Sequence, residues 1–238
     1  MNESLTIEIW SDLICPWCWI GKRRFERALA GFPHRENVRI IHRAFRLMPG
    51  LEPHALEDVI GRRFARRADF EAMLAEVERT AAAEGLVYHL AGSQVGDTRD
   101  AHRLVLDAAS QGRQAQLVER FYRAYFTERA SLFDRDILLN LAVETGLDRD
   151  RAALLLSGTD LIAEVEEDER KARALGAGGV PFFLIGGRIA LSGAQPAEEF
   201  LAALTKAWSA LPAAASAGGS AACSPDGCSV PPSVTASA

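Results

Sequence analysis

Strand signals in this chain sit at its two ends, and residues 51–175 between them carry none. At the front, Leu5 to Trp10 alternates apolar and polar side chains and reads as a strand. A turn through Ser11-Asp12 leads to Cys15-Pro16-Trp17-Cys18. A helical pattern follows to Ala30, where Gly31 and Pro33 stop it. Val38 to Phe45 reads as a second strand before the break at Pro49-Gly50. Strand–helix–strand in this order implies a parallel pair with a right-handed crossover. At the back, Val180 to Ile185 is an apolar run of strand length. Gly186-Gly187 turns it into Arg188–Leu191, and Gln195-Pro196 opens a last helix to about Ser209. The two ends together predict an α/β fold, a mixed four-stranded sheet interrupted by a large all-helical insertion.

The pattern assigns residues 1–50 and 176–211 to one discontinuous domain and 51–175 to the insertion. Helices are expected over Leu56–Ala65, Asp69–Glu84, Thr98–Gln111, Gln114–Thr127, Arg135–Thr145, Asp148–Leu156 and Thr159–Leu175. Gly85, Gly112, Gly146 and Gly176 stand where C-caps belong. Asp97-Thr98 and Thr159-Asp160 are candidate N-caps. From Pro212 onward, 21 of 27 residues are Ala, Ser, Gly or Pro. That composition predicts a flexible tail over 212–238, since it buries too little apolar surface to offset ordering.

The chain has 238 residues, 48% of them hydrophobic and 25% charged, with a net charge of −5. These values fit a soluble globular protein. The acidic balance argues against nucleic acid or an anionic membrane as partner, since both select a cationic face. There is no spanning apolar run and no basic-then-apolar leader at the N-terminus. The cytoplasm is therefore the expected compartment. Four cysteines are too few for a secreted disulfide scaffold, and they fall in two close pairs, Cys15/Cys18 and Cys223/Cys228. Such pairs point to redox or metal chemistry. A zinc site would need both pairs at once, one of them on the tail, and no metal is expected.

A cysteine pair between a strand and a helix is placed for thiol chemistry. The helix N-terminus offers unpaired N–H groups and partial positive charge, which favour a thiolate. Pro16 suits the first turn, where its missing N–H costs nothing. With Pro16 and Trp17 as spacer, Cys15 is the expected nucleophile and Cys18 the resolving thiol. Asp12 is a candidate proton shuttle to Cys18, or a simple turn residue. His102 is either structural or a hydrogen-bonding neighbour of the site. The Arg62-Arg63 and Arg66-Arg67 cluster reads as a solvated face. In the tail, Ser224-Pro225-Asp226-Gly227 has turn chemistry that brings Cys223 and Cys228 within disulfide reach, so this pair is a candidate auxiliary redox couple.

The stretch Trp10-Ser11-Asp12-Leu13-Ile14-Cys15-Pro16-Trp17-Cys18-Trp19-Ile20-Gly21 resembles the active-site opening of the FrnE-like branch of the DsbA family. Asp97-Thr98-Arg99-Asp100-Ala101-His102-Arg103 resembles that branch's N-T-x-x-A-H-R motif, with Asp97 in place of Asn. Ala124-Tyr125-Phe126-Thr127-Glu128 and the segment from Gly179-Val180-Pro181-Phe182-Phe183 to Ser192-Gly193-Ala194-Gln195-Pro196 match further motifs. The tail pair looks like the C-x4-C ending of some members. The resemblance implies a thioredoxin-like fold and dithiol–disulfide exchange with protein thiols and disulfides, without an organic cofactor. It also implies a cis Pro181 facing Cys15, with Val180 offering its backbone to an extended substrate. Glutathione is a possible co-substrate. The same superfamily includes glutathione-dependent 2-hydroxychromene-2-carboxylate isomerases, which carry Ser where Cys15 stands; Cys15 argues against that reading. A redox-linked holdase chaperone is the non-enzymatic alternative.

Overall fold

The computed structural model describes residues 4–211. Four strands form one sheet in the order β2-β1-β5-β6: β1 Leu5–Ser11, β2 Val38–Ala44, β5 Phe182–Ile185 and β6 Ile189–Ser192. β1 runs parallel to β2, with Ile7 beside Ile40, and antiparallel to β5, with Ile9 beside Phe183. Gly186 and Gly187 both have positive φ, 60° and 68°, which supplies the twist that a two-residue hairpin into β6 requires. The tail and its Cys223/Cys228 pair lie outside the described residues.

Two helices cover one face of the sheet, α1 Pro16–Ala30 and α9 Ala197–Ser209. Their apolar stripes meet the inward side of the strands in a core of Leu5, Ile7, Phe25, Phe32, Phe183, Phe200 and Leu204. The opposite face packs Trp10, Phe45 and Phe182 against Ala172 of α8, Ile162–Ala174. Between these ends lie α2 Leu56–Val59, α3 Arg67–Ala83, α4 Arg99–Ser110, α5 Gln114–Tyr122, α6 Arg135–Glu144 and α7 Arg149–Ser157. A second, larger core joins these helices to Cys15, Cys18 and Trp19, so the start of α1 sits on the seam between sheet and helices.

β2 lies at the edge of the sheet, and side chains from the helical block cap it. The His42 N–H donates to Gln114 Oε1, and Gln114 Nε2 donates to the His42 carbonyl, both at 3.0 Å. The Ala44 N–H donates to Asp168 Oδ2 at 3.0 Å, and the Arg46 N–H to Glu169 Oε1 at 3.1 Å. Backbone groups that would otherwise invite another strand are thereby satisfied.

Four expectations need correction. The insertion is not all-helical: β3 His54–Ala55 and β4 Gln94–Val95 form a two-residue antiparallel ladder. That length is too short to leave an alternating pattern. The helix expected over 56–65 breaks after Val59 into a 3-10 turn, Gly61–Arg63. Gly61 weakens the helix there, and Phe64 packs on Phe70. The helix expected over 114–127 ends at Tyr122 and continues as a π-helical turn, Arg123–Thr127. Neither Thr159 nor Asp160 caps α8. Leu161 holds that position with φ 64°, because buried Arg103 draws in the carbonyls of Gly158 and Asp160 at 2.9 and 2.6 Å.

His42 is buried in β2, and burial, reinforced by the Lys22 charge, lowers its pKa to about 3. The unfolded chain therefore binds a proton below about pH 6.5 that the folded chain refuses. Stability should fall as pH drops from 6.5 toward 3, by up to about 1.4 kcal/mol per pH unit. Urea unfolding of the parent and of His42→Asn between pH 7.5 and 4.5 checks this. The variant is expected to show the shallower pH dependence, and equal slopes would refute the assignment.

Candidate active site

Cys15 occupies the N-cap of α1 in extended geometry, and Pro16 takes the first helical position. An N-cap side chain ordinarily accepts from the second or third N–H of its helix. The Cys15 thiol makes no such bond, and the first turn of α1 holds no acidic residue. A sulfur at this position that loses its proton therefore meets unpaired donors and the positive end of the helix.

Cys18, one turn on, is 2% exposed, and both thiols are free. Burial pushes the Cys18 thiol well up, and the neighbouring Cys15 adds to this. The two sulfurs thus differ in setting: Cys15 stands at the open end of α1, and Cys18 is buried behind it.

The Val180–Pro181 peptide is cis, and Cys15 Sγ lies 3.7 Å from the Val180 carbonyl oxygen. Helix and loop approach closely because residue 21 is glycine. A Cβ there would stand 3.0 Å from Pro181 Cγ. The Gly193 N–H donates to the Pro181 carbonyl at 2.7 Å, and Arg24 holds the Ala194 carbonyl at 2.6 Å. Sequence reasoning thus identified four residues, Cys15, Cys18, Val180 and Pro181, that the fold brings together from positions 165 apart.

Asp12 is fully buried beneath this turn. Its Oδ2 accepts from the Leu47 N–H at 2.6 Å; its Oδ1 accepts from the Thr98 hydroxyl at 2.8 Å and the Ile14 N–H at 3.4 Å. The carboxylate thereby ties the cysteine turn to the loop after β2 and to the start of α4. His102, also buried, has Nε2 at 3.7 Å from Asp12 Oδ1, and that nitrogen has no hydrogen-bond partner among the described residues.

Other neighbours of the site left little trace in the sequence. Trp19 stacks on Tyr88, Tyr122 and Phe126 at ring-centroid distances of 5.5, 5.9 and 6.0 Å. The Tyr88 hydroxyl donates to the Pro16 carbonyl at 2.8 Å. Trp17 is 42% exposed. With Pro16, Leu47, Met48, Met73 and Phe126 it borders an apolar groove of about 200 Å³. Tyr88 and Tyr122 carried no motif that singled them out. The Arg62 and Arg66–Arg67 side chains are exposed and pair with Asp58, Asp69 and Glu71, a solvated face away from the chemistry.

Residues 6–205 match the family described as the DSBA-like thioredoxin domain. The chain is similar to the crystal structure of a probable DsbA oxidoreductase from Streptomyces coelicolor, at 41% identity and TM-score 0.83, covering 96% of this chain and all of that one. It shares its fold with the cytosolic disulfide reductase DsbM from Pseudomonas aeruginosa, at 23% identity and TM-score 0.61, covering 86% of this chain and 98% of that one. An uncharacterized Bacillus subtilis protein, YwbO, is 27% identical over 152 residues. That match covers 60% of this chain and 66% of YwbO, just under two thirds of its length.

Proposed function

The chain belongs to the DSBA-like thioredoxin domain family, and from that premise we propose that it is a protein dithiol–disulfide oxidoreductase working through Cys15 and Cys18. The carrying observation is Cys15 itself, an N-cap thiol without a capping bond, one turn before the buried Cys18 and facing the Val180 carbonyl. The Cys15 thiolate attacks one sulfur of a substrate disulfide and expels the other as a thiolate. Cys18 then gives up its proton and attacks the Cys15 sulfur. A Cys15–Cys18 disulfide forms, and the substrate leaves with two electrons more. Two glutathione thiols restore the dithiol and leave as glutathione disulfide. In the reverse direction the same steps oxidise a substrate. The Val180 backbone offers its polar groups to an extended substrate segment, and Trp17 with its groove offers an apolar wall. Neither metal nor organic cofactor enters any step.

The finer assignment, to the FrnE-like branch, rests on the motifs around Cys15, His102, Tyr125 and Pro181. The reading places the protein in the cytoplasm, where glutathione keeps thiols reduced. Iodoacetamide labelling of the reduced protein near neutral pH tests the unequal thiols. Cys15 should react at least about tenfold faster than Cys18. Equal rates, or a faster Cys18, would overturn the assignment.

Cys223 and Cys228 enter this reading as an auxiliary couple that relays electrons between glutathione and Cys15. The Cys223/Cys228→Ser double variant should turn over insulin disulfides more slowly at limiting glutathione, with the Cys15 labelling rate unchanged. Turnover equal to the parent would make the pair incidental.

A further inference from the structure

We propose that Tyr88 is a positioning residue for the exchange reaction, acting on Cys15 through the Pro16–Trp17 peptide group. The inference rests on the role given to Cys15 above and extends it to a residue between α3 and β4. The Tyr88 hydroxyl donates to the Pro16 carbonyl at 2.8 Å. That carbonyl and the Trp17 N–H are the two ends of one amide. The Trp17 N–H is the first free donor of α1, since Pro16 has none, and it has no acceptor among the described residues. When the Cys15 sulfur ionises at the N-cap, this N–H is a donor in position to hold it. A hydrogen bond to one end of an amide polarises the group and strengthens donation at the other. The hydroxyl therefore favours the thiolate, and with it the reduced state of the pair.

The hydroxyl is held where this requires it. The Tyr88 ring stacks on both Trp19 and Phe126, at 5.5 and 4.4 Å. On either side of it, the His89 N–H donates to the Phe126 carbonyl at 2.8 Å and the Thr127 hydroxyl to the Val87 carbonyl at 2.7 Å. Burial pushes the Tyr88 phenol far up, and charge on Cys15 and Cys18 adds to this, so it stays a proton donor.

The test equilibrates the parent and Tyr88→Phe with mixtures of glutathione and its disulfide, then counts the Cys15–Cys18 disulfide after acid quenching. Oxidised protein and two glutathione thiols give dithiol protein and glutathione disulfide. The equilibrium constant of that reaction should fall roughly 3- to 10-fold in Tyr88→Phe, about what one lost hydrogen bond is worth. The ultraviolet titration of the Cys15 thiolate should move to higher pH. Tyr125→Phe removes another buried hydroxyl, bonded to the Gln94 carbonyl at 2.6 Å, and should leave both readings at the parent value. Replacing Tyr88 with 3-fluorotyrosine, a stronger donor of nearly the same shape, should move both the opposite way, and it decides the question even if the Phe variant fails to fold. A parent with no glutathione-sensitive disulfide would overturn the role of Cys15 itself. A responsive parent with Tyr88→Phe unchanged, or with Tyr125→Phe shifted equally, would overturn the role of Tyr88 alone.

Discussion

Cys15→Ser should lower the turnover of insulin disulfides by at least about 10³-fold, because a hydroxyl at the N-cap does not ionise near neutral pH and does not form a mixed disulfide. Cys18→Ser should fail differently. Cys15 keeps its position and still attacks, so the first half-reaction proceeds. Without a second thiol one turn away, the mixed disulfide is not resolved and accumulates on a non-reducing gel. The two variants therefore separate attack from resolution. Substantial activity in Cys15→Ser, or parent-like turnover in Cys18→Ser, would contradict the roles given to the pair.

The largest effect on stability is expected at Asp12. Its carboxylate is fully buried and collects the Leu47 N–H, the Thr98 hydroxyl and the Ile14 N–H. Asp12→Ala leaves these donors buried without an acceptor, and each carries its own desolvation cost. A loss of about 3–5 kcal/mol is expected, measured by urea unfolding at pH 7. Asp12→Asn keeps one acceptor oxygen and should fall between the variant and the parent. If Asp12→Ala unfolds within about 1 kcal/mol of the parent, the cross-tie is not what holds the turn, since one intact hydrogen bond contributes that much.

These three residues show how far a one-dimensional pattern reaches. Cys15 and Cys18 were legible because their chemistry depends on local order, a strand before them and a helix after. The sheet was legible for a similar reason: β1 alternates apolar and polar side chains, β5 is a continuous apolar run, and turn residues stand at their ends. Gly85, Gly112, Gly146 and Gly176 do follow the helices they were expected to close. Asp12 could be noticed but not understood, since its partners Leu47 and Thr98 lie 35 and 86 positions away. Tyr88 escaped altogether. Its stacking on Trp19 and its bond to Pro16 exist only once α1 has docked on the helical block. The break at Gly61 and the π turn at Arg123 were hidden because packing against Phe70, Tyr88 and Trp19 settles them, whereas helical periodicity runs through both.

The capped edge of β2 bears on how the chain must be made. Its backbone partners arrive late: Gln114 follows His42 by 72 residues, and Asp168 follows Ala44 by 124. On the ribosome, His42, Ala44 and Arg46 are complete long before the residues that cover them have been synthesised. Through that interval an uncovered strand edge is open to other nascent chains. A shortened gene that deletes the helical block leaves the edge uncovered permanently. Such a miniature would keep Cys15 and Cys18 and yield insoluble protein.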